Sequence, residues 1–129
     1  MTVFLSGKAR ETLINIVDAN FMKYGLKDEY TQEILNIIGK FSDVDKVVLF
    51  GSRAMGKHKK TSDVDIALFG KNVTAGLAGA IKFEIEEETI IPYFFDFVAY
   101  PLIQNQKLKE HINTKGVTLW ERTNEDKDV

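Results

Sequence analysis

Two aspartates separated by one residue, Asp63 and Asp65, are the pair in this sequence best suited to chemistry. They open an apolar run that ends at Phe69 and has the character of a β-strand. Side chains on a strand alternate between its faces, so both carboxylates point the same way and can share a divalent ion. Magnesium prefers hard oxygen ligands, and paired ions clamp the attacking and leaving oxygens of an in-line displacement. The pair therefore predicts a cradle for magnesium and a bound phosphate.

A glycine–serine pair, Gly51 and Ser52, follows the preceding short β-branched run. Gly51 lets a phosphate approach the backbone, and Ser52 can offer a hydroxyl and cap a short helix that Arg53 would begin. The N–H groups and positive dipole end of such a helix favour a triphosphate. Lys57 adds positive charge to the connecting loop, which ends at Ser62. These residues are the predicted nucleotide-binding set.

A third carboxylate is expected from a neighbouring strand, and Asp96 is the candidate. It stands among Phe94, Phe95, Phe97 and Val98, where an acidic residue is out of place unless its face opens on a metal or a polar site. As a ligand it could lower the pKa of an acceptor hydroxyl or accept its proton. The simpler alternative is a buried aspartate that satisfies backbone donors.

The elements that position these residues follow from hydrophobic periodicity. Helices are predicted over about residues 9–21, 30–41, 73–85 and 102–115, the last with Gly116 as its C-cap. Strands are predicted near residues 46–50, 63–69 and 93–99. The predicted fold class is α/β (α+β): a small mixed sheet with helices packed mainly on one side and the carboxylates on its open face.

Several residues also have a plainer interpretation. The lysines between positions 57 and 60 can form a solvated loop, and His58 and His111 are expected at the surface. The aromatic stripe of Tyr93, Phe95 and Phe97 is expected in the core, not as a platform for a nucleobase.

Length and composition bound the remaining possibilities. A chain of 129 residues with a net charge of −2 suits one domain and has no general attraction to nucleic acid. The absence of cysteine excludes disulfides and thiolate metal sites and agrees with a reducing compartment. No apolar run reaches the ~20 residues of a membrane span. We expect a cytoplasmic protein without direct nucleic-acid binding, and leave a homo-oligomer open.

The motifs together resemble a known signature. Residues 49–56 (LFGSRAMG) and 62–67 (SDVDIA) are similar to the DNA polymerase β-like nucleotidyltransferase superfamily, above all its minimal nucleotidyltransferase branch. In that family the Gly-Ser pair and Asp-x-Asp have this ten-residue separation, and a third aspartate on a later strand matches Asp96. The resemblance implies a nucleotidyltransferase domain over residues 25–122, an added N-terminal helical element over 1–24 and a charged tail over 123–129. Lys59, Lys60 and Thr61 depart from the family pattern, which affects nucleotide contacts more than metal binding.

The resemblance also implies a reaction. Two Mg²⁺ ions held by Asp63, Asp65 and Asp96 would promote attack of an acceptor hydroxyl on the α-phosphate of an NTP, with ATP as the donor. We expect a second polypeptide to supply the acceptor, because the chain has little room for a domain of its own for that purpose. In this branch the usual partner is a small helical HEPN protein, often a toxin with ribonuclease activity, for which the nucleotidyltransferase is the antitoxin. The alternatives are a non-catalytic module that occludes its partner, and transfer to a small molecule such as an aminoglycoside.

Overall fold

The structure is a computed structural model that describes residues 23–123. The helix predicted over residues 9–21 lies outside this range, as does nearly all of the tail predicted over 123–129. The division of the chain at residues 24 and 122 stays a prediction.

A four-stranded mixed sheet forms the centre of the fold, with the strand order β3-β2-β1-β4. Its strands are β1 (Lys46–Phe50), β2 (Val64–Phe69), β3 (Phe95–Ala99) and β4 (Val117–Glu121). Strand β1 is antiparallel to both β2 and β4, whereas β2 and β3 are parallel. The predicted mixed sheet is confirmed, but β4 was not predicted as a member. The sequence shows a short apolar stretch from Val117 to Trp120, but at the sheet edge its residues are only half-buried or exposed.

In the described part of the chain, four α-helices accompany the sheet: α1 (Asp28–Ile38), α2 (Gly51–Ala54), α3 (Ala75–Glu88) and α4 (Gln106–Lys115). Short 3₁₀ turns occupy Lys23–Gly25 and Tyr100–Leu102. Helix α4 begins later than predicted because Asn105 caps it, its side chain accepting from Leu108 N–H at 3.2 Å. Gly116 is the C-cap, as predicted. None of the helices within residues 23–123 is long and apolar enough to cross a membrane.

The two faces of the sheet are covered differently. Helices α1 and α3 pack on the face that carries Leu49 and Ile66, where the main core forms. Helix α4 packs on the other face, where Ile112 contributes to a smaller cluster with Val48, Phe50 and Ala67. The expectation that this second face is open is therefore wrong over the part that α4 covers. The central strands β1 and β2 are buried almost continuously, which characterises a sheet covered on both faces.

Candidate active site

The parallel pairing of β2 and β3 brings two of the predicted carboxylates together. Asp65 and Asp96 are direct partners in the register of the two strands. Asp63 lies just before β2, two residues from Asp65, and is exposed like Asp96. The alternation of side chains along a strand places Asp63 and Asp65 on one side. Chain segments about thirty residues apart thus form one acidic site at the end of the two strands.

The pKa of Asp65 reflects its burial and its interaction with the other two carboxylates. Burial raises the pKa of the Asp65 carboxyl above its usual range, and the negative charges of Asp96 and Asp63 raise that pKa further. Arg53 and His111 act in the opposite direction through their positive charge. The net effect is that the ionised form of Asp65 is disfavoured. A divalent cation at this position would reverse that cost.

Gly51 makes room for Asp65. Its φ is +78°, in the left-handed region, and a Cβ added there would overlap the carboxylate oxygen Oδ2 of Asp65. The glycine was predicted as a place where a phosphate approaches the backbone. The structure shows that it also lets the end of β1 lie directly against the carboxylate, because Phe50 is the β1 partner of Asp65.

The start of α2 differs from the prediction. The N-cap is Phe50, and Ser52 stands inside the helix, which begins at Gly51. Ser52 is therefore not a capping residue, because the positive φ of Gly51 turns the chain into the helix one residue earlier. Its carbonyl accepts a hydrogen bond from Lys57 N–H at 2.9 Å, and the Lys57 side chain is exposed. This bond holds Lys57, in the loop, close to Ser52 in α2.

Arg53 is buried, with 1% of its surface exposed. Its guanidinium donates to the carbonyl of Ser62 at 2.8 Å and to that of Tyr24 at 3.0 Å. It also contacts the carbonyl of Lys60 at 3.3 Å and lies 5.0 Å from the centre of the Tyr93 ring. The predicted contact between Arg53 and a nucleotide stays a prediction. The structure shows that Arg53 holds the loop through these carbonyls.

The loop from residue 56 to 62 is closed by its own polar groups. The hydroxyl of Ser62 accepts from Lys59 N–H at 2.9 Å, so this predicted nucleotide-binding residue also shapes the turn before Asp63. His58 is partly buried, and its Nδ1 has no hydrogen-bond partner within residues 23–123. A Cβ at Gly25 would come within 2.5 Å of His58 Nε2. His58 was expected at the surface and is only partly exposed, because the loop folds back on the 3₁₀ turn.

Replacing Arg53 tests its positioning role. We expect Arg53→Lys to lower the free energy of unfolding by about 3 kcal/mol, because one ammonium cannot serve carbonyls that the guanidinium reaches on two sides, and buried carbonyls would lose their donors. Urea unfolding measures the change. Lys60→Ala, at an exposed position of the same loop, is the control and should differ little from the wild type. Equal stability of Arg53→Lys and the control would contradict the assignment.

His111 is a neighbour of the site that sequence reasoning missed. It lies on α4, and its ring meets that of Phe50 edge-on with 6.2 Å between centroids. Its charge reaches Asp65, whose pKa it acts to lower. His111 was expected at the surface, but its side chain is only partly exposed. The sequence carries no local signal of this contact, because it depends on how α4 crosses the sheet.

The donor set fits magnesium by its chemistry. Asp63, Asp65 and Asp96 supply only carboxylate oxygens, the ligands that Mg²⁺ prefers, and burial followed by the charges of Asp96 and Asp63 raises the pKa of Asp65. Within residues 23–123, however, no three acidic or histidine side chains converge closely enough to enclose a metal ion. Asp63 and Asp96 are exposed, so their side chains have space to rotate towards an ion. The assignment of all three as metal ligands stays a prediction.

Solved structures share this fold. One, described as a toxin–antitoxin with AMP-PNP, has a chain 20% identical with a TM-score of 0.60, covering 78% of this chain and 78% of that chain. Another, described as the toxin–antitoxin MntA-HepT, is 18% identical with a TM-score of 0.55, covering 77% of this chain and 75% of the other. At such low identity the likeness shows the fold alone.

The sequence itself is matched at the level of a family. Among curated proteins, none matches the chain. The family described as "Polymerase beta, Nucleotidyltransferase" matches residues 32–125, which include the Gly51–Ser52 turn and all three aspartates. Together with the mixed sheet that aligns Asp65 with Asp96, this match confirms the predicted recognition and the predicted fold. The chain belongs to the polymerase beta nucleotidyltransferase family.

Proposed function

We propose that this protein transfers the nucleotidyl group of an NTP, with ATP as the donor, to a hydroxyl of a partner protein. The observation that carries the proposal is the pairing of Asp65 with Asp96 beside Gly51. It places an acidic centre directly against the backbone turn at Gly51, which carries no side chain of its own. This is the arrangement needed to hold a triphosphate and to attack its α-phosphate.

The residues divide between the two ends of the reaction. Gly51, Ser52 and Lys57 lie on the β1 side of the carboxylates and would bind the phosphates that leave as pyrophosphate. Two Mg²⁺ ions, held by Asp63, Asp65 and Asp96, would neutralise charge on the phosphates and lower the pKa of the acceptor hydroxyl. Asp96, exposed on the β3 side, would orient that hydroxyl and accept its proton.

The acceptor is proposed from the openness of the site and from its structural relatives. Asp63 and Asp96 are exposed, so another protein surface can reach them. The relatives with this fold are described as toxin–antitoxin complexes, and one contains AMP-PNP. These descriptions support a helical HEPN-type toxin as the partner, with this chain as its antitoxin. A tyrosine hydroxyl is the proposed target. Attached AMP would bring negative charge close to the toxin's active site and repel its RNA.

The test is to incubate the chain with the product of the neighbouring gene, magnesium and ATP, and to weigh both proteins by intact mass spectrometry. We expect the partner to gain the mass of one or more AMP units. The gain should vanish with Asp96→Ala, since that variant lacks the group assigned to the hydroxyl.

A complex that forms and silences the partner without any change in mass would contradict transfer. That outcome would favour the non-catalytic module that occludes its partner. Transfer to an aminoglycoside in place of the protein would contradict the proposed acceptor.

A further inference from the structure

A groove runs along the outer side of β3 and ends at the acidic site. Its volume is about 410 Å³. Its walls come from α3, β3 and the 3₁₀ turn after β3, and include Ala75, Gly79, Lys82, Asp96, Val98 and Leu102. We refer to it as the β3 groove. The small residues on α3 keep the groove wide, and Leu102 gives it an apolar end with more than half of its surface exposed.

The backbone of β3 is available for pairing on this side. In the part of the chain that the structure describes, β3 is an edge strand with β2 as its only neighbour. Val64 N–H donates to the Phe94 carbonyl at 2.8 Å. Because backbone groups in a parallel ladder face the two sides alternately, the N–H and C=O groups of Phe97 and Ala99 point away from β2. An edge of this kind is a template for an added strand.

The geometry of in-line displacement indicates from which side an acceptor must enter the site. The proposed pyrophosphate side lies at Gly51, at the end of β1. The sheet order places β2 between β1 and β3, so Asp96 lies on the opposite side of Asp65 from β1. The attacking oxygen must arrive opposite the leaving pyrophosphate, which is the β3 side. The groove therefore leads to the position from which an acceptor would attack.

We propose that the β3 groove binds an extended segment of the acceptor protein, which pairs with the outer edge of β3 and presents its hydroxyl beside Asp96. This proposal rests on the proposed function and names the way in which the partner binds. Backbone pairing would hold the segment in register, and an apolar side chain of the segment would contact Leu102. An extended segment fits because the groove is lined by four consecutive residues of β3, Asp96 to Ala99, and therefore follows the strand.

Two glycines of α3 allow a matched test. Gly79 lines the groove, whereas Gly76 does not. Both are exposed, and a Cβ at either has ample room: nothing lies within 4 Å at Gly79, and only Thr74 Oγ1, at 3.8 Å, at Gly76. Gly79→Leu should fill the groove while Gly76→Leu leaves it open. Because leucine has a higher helix propensity than glycine, neither variant is expected to have a lower melting temperature than the wild type.

Three measurements are made on both variants: affinity for the product of the neighbouring gene, transfer of AMP to it, and affinity for magnesium-ATP. We expect Gly79→Leu to bind the partner more than about tenfold more weakly and Gly76→Leu to bind it normally. Both variants should bind magnesium-ATP like the wild type. In the wild-type complex, amide exchange at Phe97 and Ala99, followed by NMR, should slow.

The outcomes separate this proposal from the proposed function. If Gly79→Leu left the affinity for the partner unchanged, or if the wild-type chain did not bind the partner, the groove would be ruled out as the docking site. Binding that is lost in Gly79→Leu while the wild type transfers no nucleotide would instead overturn the proposed function and support the groove.

Discussion

Asp65→Asn is expected to abolish nucleotidyl transfer and to leave the fold intact. Asp65 is the most enclosed of the three carboxylates, between Asp96 on β3 and Gly51 at the end of β1. An amide is a poor ligand for magnesium. Even substitutions of residues that only hydrogen-bond to a metal ligand reduce activity or metal affinity by about 10–100-fold. We therefore expect a loss larger than about 100-fold in transfer from α-labelled ATP.

The same variant should be more stable than the wild type at neutral pH. Because the pKa of Asp65 is raised in the folded state, the folded protein holds its proton more tightly than the unfolded chain does. Ionised Asp65 therefore lowers stability at pH values above its raised pKa. As the pH falls through that pKa the penalty decreases, and it is absent once Asp65 is protonated in both states. The melting temperature of Asp65→Asn should thus be higher than that of the wild type at neutral pH, and the difference should decrease at acidic pH.

Asp43→Asn is the control, since Asp43 is exposed and precedes β1 at the other end of the strand from Gly51. It should change neither transfer nor the pH dependence of melting. Normal transfer by Asp65→Asn would refute the metal assignment. A melting temperature below that of the wild type at neutral pH would show that Asp65 stabilises the fold, contrary to the sign derived from its pKa.

Gly51→Ala is expected to reduce transfer about 100-fold, because a small displacement of a reacting group has an effect of that size. The new Cβ would overlap the carboxylate of Asp65 and force it, or the end of β1, to move. A residue with a side chain also incurs about 1–2 kcal/mol at a φ of +78°. Transfer and urea unfolding should be measured on the same preparation.

Gly56→Ala separates these two effects. Gly56 has a φ of +72°, but nothing lies within 4 Å of a Cβ placed there. It should therefore lose about 1–2 kcal/mol of stability through backbone strain and retain most of its transfer. If both variants lost transfer equally, strain in the loop, not the position of Asp65, would explain the loss from Gly51→Ala.

The sequence predicted the site best where the pattern is local. Asp63 and Asp65 share a strand, so their common face follows from a period of two residues. Asp96 was found because an acid among aromatic residues is conspicuous. Their proximity across β2 and β3 is seen in the structure, where register pairs Asp65 with Asp96. In the aromatic stripe predicted for the core, Phe95 is buried in it, and Tyr93 and Phe97 are partly buried against it.

Features that depend on packing between distant segments could not be predicted. Arg53 looks like a phosphate ligand in sequence, and only the fold reveals that it reaches carbonyls of Tyr24 and Ser62. Strand β4 was missed because it has five residues, two of them exposed at the sheet edge, so its short apolar stretch does not by itself indicate a strand. His111 approaches Asp65 through the placement of α4, which no spacing within the chain encodes.

The parallel pairing of β2 with β3 has a consequence for how the protein acquires its activity. Strands β1 and β2 are antiparallel neighbours along the chain, so Gly51 and Asp65 can meet through a comparatively short connection. Asp96 joins them only after α3 has crossed from the end of β2 to the start of β3, which closes a longer loop. Contacts of greater sequence separation form more slowly, because loop closure must precede them. We therefore expect a chain emerging from the ribosome to bring Gly51 and Asp65 together before Asp96 joins them, so that the proposed transfer would require the crossover to have closed.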